Sequence, residues 1–154
     1  MQHHILRYRE YRLVMFLHKS GEYVSDWIRR TDTFFEVGWL DLLYQNQDFL
    51  RPQTSVALDI GANIGNHRIF LEKILNFQAV YAFEPIAKNF SLLTQNTSRS
   101  QCIQSACSDK SGILTMKVEE DSMGNCHVVE EAADLLKLST PGNILESSNH
   151  YAFR

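Results

Sequence analysis

Val56-Ala57-Leu58-Asp59-Ile60-Gly61-Ala62-Asn63-Ile64-Gly65-Asn66-His67 decides how this chain is read: a short apolar run holding an acid, a turn with glycines at 61 and 65, then a stretch of helical period. The run from Val56 to Ile60 has the length and composition of a buried strand. Gly61 to Gly65 reads as the turn, and residues 66–75 as a helix with Ile69, Phe70, Ile74 and Leu75 inward. Both glycines permit backbone conformations and a close approach that a Cβ would obstruct, so a ligand can lie against the turn and the helix N-terminus. The next strand, Ala79-Val80-Tyr81-Ala82-Phe83, is stopped by Glu84-Pro85. Tyr81 and Phe83 are expected in the core. Glu84 stands nineteen residues after Gly65, where an α/β sheet places an acceptor for ribose hydroxyls.

Spacing narrows the ligand. The dinucleotide fingerprint is G-x-G-x-x-G, whereas this turn is D-x-G-x-x-x-G, with Asn63 where a glycine would stand. That disfavours a pyrophosphate. Asp59 repels phosphate and favours a cationic ammonium or sulfonium group, which points to S-adenosylmethionine.

Outward from this stretch the βαβ rhythm continues. Residues 87–95 form a second helix with Phe90, Leu93 and Leu92 packing back, residues 103–107 a third strand, and residues 113–118 a fourth apolar run after the turn at Ser111-Gly112. Beyond a loop at residues 119–125, residues 128–138 regain a helical pattern with Val129, Ala133 and Leu136 on one face. Pro141-Gly142 ends it, and the last dozen residues read as an exposed tail. On the other side, residues 1–50 read as an N-terminal helical segment of two or three helices. Leu13, Phe16 and Leu17 share one face, and Phe35, Trp39, Leu42 and Leu43 another. Thr33 and Glu36 have the spacing of a capping box, although Glu36 is also a candidate ligand contact. Arg51-Pro52 breaks the helical pattern. The organisation expected is thus residues 1–50 followed by an incomplete α/β domain over residues 51–154.

At 154 residues, 44% hydrophobic and 21% charged, the chain suits one ordinary globular domain and excludes collagen-like, coiled-coil and disordered classes. The formal charge of −3 gives no reason to expect a nucleic-acid or membrane partner. Residues 1–30 hold six basic and three acidic groups and the remainder nine and fifteen, too slight an asymmetry to name a partner. The longest early apolar run, Leu13 to Leu17, is far shorter than the roughly 18 residues of a membrane span, so a cytoplasmic protein is expected. Cys102, Cys107 and Cys126 lack paired zinc-site spacing and read as reduced, buried thiols. The six histidines are scattered, so no metal role is expected.

Asp59-Ile60-Gly61-Ala62-Asn63-Ile64-Gly65-Asn66-His67, with Tyr81-Ala82-Phe83-Glu84-Pro85, closely resembles the signature of FkbM-type S-adenosylmethionine-dependent methyltransferases. Asp32-Thr33-Phe34-Phe35-Glu36, Leu92-Leu93-Thr94-Gln95-Asn96 and Ala106-Cys107-Ser108-Asp109-Lys110-Ser111-Gly112 extend the likeness over about Asp32 to Met116. The resemblance implies a Rossmann-like, doubly wound, mostly parallel methyltransferase fold, truncated here on the C-terminal side. It implies that the glycine turn (Asp59, Gly61, Ala62, Asn63, Gly65, Asn66, His67) holds the methionine part of the cofactor. Glu84-Pro85 would then hold the ribose and Ser108-Asp109 the adenine edge. The implied reaction methylates a hydroxyl of a small molecule or glycan; the residues identify no catalytic base. The family's Asp-x-Glu-Gly strand finds only a faint echo at Asp134 to Gly142. The alternative expectation is a cofactor-binding remnant without independent activity, with a second copy or a partner chain covering an open sheet edge.

Overall fold

A computed structural model of the chain describes residues 2–19, 21–97 and 101–108, together with the backbone of strands within residues 112–153. It is a mixed α/β structure built around a three-stranded parallel sheet.

The chain opens with an antiparallel hairpin, β1 (Gln2–Tyr8) and β2 (Tyr11–Leu17), in register from Gln2↔Leu17 to Tyr8↔Tyr11. This corrects the helical reading of the first part of residues 1–50. Leu13, Phe16 and Leu17 fit helical spacing, but Leu13, Met15 and Leu17 fit period two equally well, and Met15 and Leu17 are buried together with Leu6 and Tyr8. The hairpin signal was absent because the turn is Arg9-Glu10 rather than an Asn-Gly or Asp-Gly pair. Arg9 adopts a left-handed φ of 49°. Its guanidinium lies 4.4 Å from the Tyr44 ring centroid and 3.3 Å from Asp41, contacts that help hold the strained turn.

Helices α1 (Tyr23–Thr31), α2 (Val37–Gln45) and α3 (Gln47–Leu50) follow. Buried Glu22 caps α1, its two carboxylate oxygens accepting from the Val24 N–H at 3.1 Å and the Ser25 N–H at 2.8 Å. The capping box expected at Thr33 and Glu36 does not form: Glu36 is itself the residue before α2, left-handed at φ 56°, and its side chain caps nothing. The face assigned to α2 is also corrected. Leu40 is its buried residue, with Val37 and Tyr44 half-buried beside it, while Trp39, Leu42 and Leu43 are exposed. The break at Arg51-Pro52 stands, as a short 3-10 turn over Pro52–Thr54.

The βαβαβ unit comes next: β3 (Val56–Ile60), α4 (Asn66–Ile69) running into a π-helical turn at Phe70–Ile74, β4 (Ala79–Phe83), α5 (Ala87–Asn96) and β5 (Cys102–Ile103). All three strands are parallel, in the order β3-β4-β5. Ile69, Phe70, Ile74, Leu75, Leu92 and Leu93 are buried as expected. The third strand is shorter than the sequence suggested, because the Ser105 N–H turns back to the Ile103 carbonyl at 3.0 Å and ends the ladder. Fully buried Arg68 ties α4 to the sheet by donating to the Val80 and Gln101 carbonyls. Phe70 joins the unit to the N-terminal segment, with Tyr8 and Phe34 edge-on at 5.0 and 5.3 Å between ring centroids.

Among the described residues, only one face of the parallel sheet is covered. Val80 and Ala82 lie buried on the helical side, whereas Val56, Leu58, Ile60 and Tyr81 are exposed on the other. The expectation of β3 as a buried strand, and of Tyr81 as core, is corrected accordingly.

The last elements, β7 (His127–Glu131), β6 (Gly112–Lys117) and β8 (His150–Phe153), form an antiparallel sheet with β6 in the middle. So the fourth apolar run is a strand, but one that does not extend the parallel sheet. The helix expected from residue 128 begins instead as β7, where the β-branched pair Val128-Val129 favours a strand. β8 falls in the expected tail. The rest of both expectations, together with Asp109 and Cys126, lies outside the described residues. Cys102 is half-buried and Cys107 exposed, so Cys107 departs from the expected burial. No helix among the described residues is long and apolar enough to cross a membrane.

Candidate functional site

The glycine turn is fastened to the end of β4. The Phe83 carbonyl accepts from both the Gly61 and Ala62 N–H groups, at 2.9 and 3.0 Å, and the Gly65 N–H closes onto the Ala62 carbonyl at 2.8 Å. Gly61, Asn63 and Gly65 all have positive φ (78°, 49° and 94°). The two glycines serve different ends. A Cβ on Gly65 would lie 3.0 Å from Leu93 Cδ1 and 3.2 Å from Thr97 Cγ2, so this glycine lets α5 pack against the turn. A Cβ on Gly61 would meet nothing within 4 Å, which leaves open space above the turn.

Glu84 organises the turn from the neighbouring strand. One carboxylate oxygen accepts from the Asn63 N–H and the other from the Ile86 N–H, both at 2.8 Å. The side chain is buried, and desolvation pushes its pKa above the ordinary value, opposed by those amides and by Asn89. A carboxylate has about four acceptor sites, so with the two amides and Asn89 in place one is left for a hydroxyl.

Asp59 sits at the end of β3 on the helical side, only 7% exposed. Burial raises its pKa, opposed by the nearby His67 ring and by the backbone N–H and guanidinium of Arg68. Among the described residues its Oδ2 is buried without a hydrogen-bond partner, and so is Asn63 Oδ1 in the turn that follows. Two orphaned acceptors so close in the chain are costly, on the order of 1–3 kcal/mol each.

The remaining predicted residues divide. Glu36 and His67 come together on the rim, Oε2 to Nε2 at 3.3 Å, both partly exposed. Asn66 is buried, but its side-chain amide is committed to Phe35, accepting its N–H at 2.9 Å and donating to its carbonyl at 3.0 Å. It therefore clamps the N-terminal segment to the turn, using one of its two N–H donors and one lone pair of its oxygen. Ala62 and Pro85 are buried in the turn and after β4, and Ser108 is exposed in the segment following β5.

Sequence reading missed Asn89 and Asn96. Asn89 Oδ1 lies 2.9 Å from His18 Nε2, linking the end of the hairpin to the helix beside Glu84. Asn96 bonds the Phe16 N–H and carbonyl at 2.6 and 2.9 Å and the Ile64 carbonyl at 2.8 Å. The signal was present: with Leu92 and Leu93 they make a helical stripe in which asparagine occupies apolar positions. Chemically, the site offers two buried carboxylates, unpaired acceptors inside a positive-φ turn, and a histidine–carboxylate pair at its edge. Comparison of the chain with family models, with curated proteins and with solved structures gives no match.

Proposed function

We propose that the glycine turn binds S-adenosylmethionine and that the chain is the cofactor-binding part of an FkbM-type, Rossmann-like O-methyltransferase. The observation carrying this reading is that two buried acceptors flanking Gly61 in the chain, Asp59 Oδ2 and Asn63 Oδ1, have no hydrogen-bond partner among the described residues, while a Cβ at Gly61 itself would meet nothing within 4 Å. A ligand ammonium has the donors and the charge that this pair lacks, whereas a phosphate would bring more acceptors and a like charge. The residues therefore fit the methionine end of the cofactor. Glu84, whose carboxylate retains acceptor capacity, would accept from a ribose hydroxyl.

The cofactor supplies a methyl group already activated on a sulfonium sulfur. What remains for the chain is alignment, exclusion of water and management of one proton. Asp59 and Asn63 orient the bound amine. The acceptor, a hydroxyl of a small molecule or glycan, enters from the rim, where His67 beside Glu36 is the pair suited to take its proton.

Calorimetric titration with S-adenosylhomocysteine, with NAD as the control ligand, tests the reading without an acceptor. One-site binding of the first and none of the second is expected, weakened at least about tenfold in Glu84→Gln. Binding of NAD alone, or of neither by a folded chain, would overturn it.

A further inference from the structure

Two apolar surfaces among the described residues have nothing packed on them. The first is the open face of the parallel sheet. Val56, Leu58 and Ile60 are 56%, 62% and 63% exposed, and across the register Tyr81 and Ile103 are each 39% exposed. Parallel sheets are normally covered on both faces. The second is the outer side of α2 and α3. Trp39, Leu42 and Leu43 are exposed there although α2 already packs inward through Leu40, and Phe49 of α3 is 86% exposed. A helix that is apolar nearly all round is ordinarily a buried helix.

We propose that two copies of the chain associate about a two-fold axis, the outer face of α2–α3 on each copy covering the open sheet face of the other. The two surfaces are of complementary kinds, since the sheet lacks a helical layer and the helices lack a support, and helix on sheet is the standard way to bury both. One chain carries both halves, so a reciprocal exchange leaves neither uncovered and closes on itself. Area points the same way. The nine side chains expose on the order of 900 Å² per copy, against about 800 Å² per partner in a standard stable interface, and either face alone falls well short. The sheet face holds no carboxylate, ammonium or guanidinium, so no charge has to be stripped of water when it is covered.

Sedimentation equilibrium of the full 154-residue chain at micromolar concentration tests this, with Leu58→Lys for the sheet face and Trp39→Glu for the helical face. The wild type is expected to be dimeric, and each variant to dissociate at least about 30-fold more readily with its circular dichroism unchanged. An equimolar mixture of the two variants should associate again, because one helix-on-sheet contact is intact and in the other the introduced carboxylate meets the introduced ammonium. A monomeric wild type overturns the proposal. So does a dimer indifferent to either substitution, or a mixture that stays dissociated. Should a variant fail to fold, hydrogen exchange on the wild type decides: amides of residues 39–43 and 56–60 should slow together as concentration rises, and unchanged exchange in either stretch overturns the proposal.

Discussion

Along β3, Leu58 and Ile60 stand 62% and 63% exposed while Asp59 between them is 7% exposed. The helical side of the strand holds a carboxylate out of water, and the opposite side holds aliphatic chains in it. Either arrangement costs stability in an isolated domain, the first through desolvation and the second through unburied apolar surface. On the two proposals above, one strand serves two kinds of partner: a donor-bearing ligand against Asp59, and an apolar protein surface against Leu58 and Ile60. If so, changes on the inner side should divide into those that damage the frame of the turn and those that relieve its strain.

Gly65→Ala should have the largest effect. The added methyl lands 3.0 Å from Leu93 Cδ1 at a φ of 94°, combining overpacking with a left-handed backbone, for a loss of about 2–4 kcal/mol in urea unfolding. A loss below about 1 kcal/mol would mean that α5 yields and the turn is less constrained than described. Gly61→Ala, with only the backbone term, should lose about 1–2 kcal/mol.

Glu84→Ala comes next. It removes a buried charge, but it strands the Asn63 and Ile86 amides, each bonded at 2.8 Å. Two lost charge-assisted bonds outweigh the relief of burial, so chemical denaturation should show a net loss of about 2 kcal/mol. A stabilised variant would make Glu84 a ligand group with no part in the frame.

Asp59→Asn should act in the opposite direction. Burial raises the Asp59 pKa above its ordinary 3.8, so the folded state binds the proton more tightly than the unfolded state does. The penalty is therefore full at neutral pH and is relieved as pH falls through the raised value towards 3.8. The neutral variant should melt a few degrees above the wild type at pH 7, and that gap should close on acidification. A gap that widens in acid would reverse the sign assigned here.

The smallest effects compare two glutamates outside the sheet. Glu22→Ala should cost about 1 kcal/mol through the lost cap of α1, whereas Glu36→Ala, which caps nothing, should change thermal stability by less than about 0.5 kcal/mol.

Much of the βαβ unit was legible because glycine, proline and the change of hydrophobic period fall at its boundaries. Gly61 and Gly65 mark the turn, Glu84-Pro85 stops β4, and Ile69, Phe70, Leu92 and Leu93 point inward as their spacing requires. What the sequence could not reveal was the far side of the sheet. Val-Ala-Leu-Asp-Ile reads as a buried strand, and no local signal tells whether a covering layer belongs to the same chain. The hairpin was hidden by an Arg9-Glu10 turn and by residues that satisfy two periods at once. Within the site, the juxtaposition of Asp59, Asn63 and Glu84 follows from one parallel register. The meeting of Glu36 with His67 depends on tertiary packing, and a capping-box pattern pointed elsewhere. The bonds of Asn66 to Phe35 likewise join residues 31 positions apart and carry no local signal.

The most direct test of the account is the melting temperature of the wild type and of Asp59→Asn, each with and without saturating S-adenosylhomocysteine. A ligand that binds only the folded state raises its melting point. The variant should melt higher than the wild type without ligand, yet gain little when ligand is added, while the wild type gains several degrees. Equal gains in both proteins, or a variant that melts lower than the wild type without ligand, would contradict the claim that Asp59 is kept buried and charged for a ligand cation.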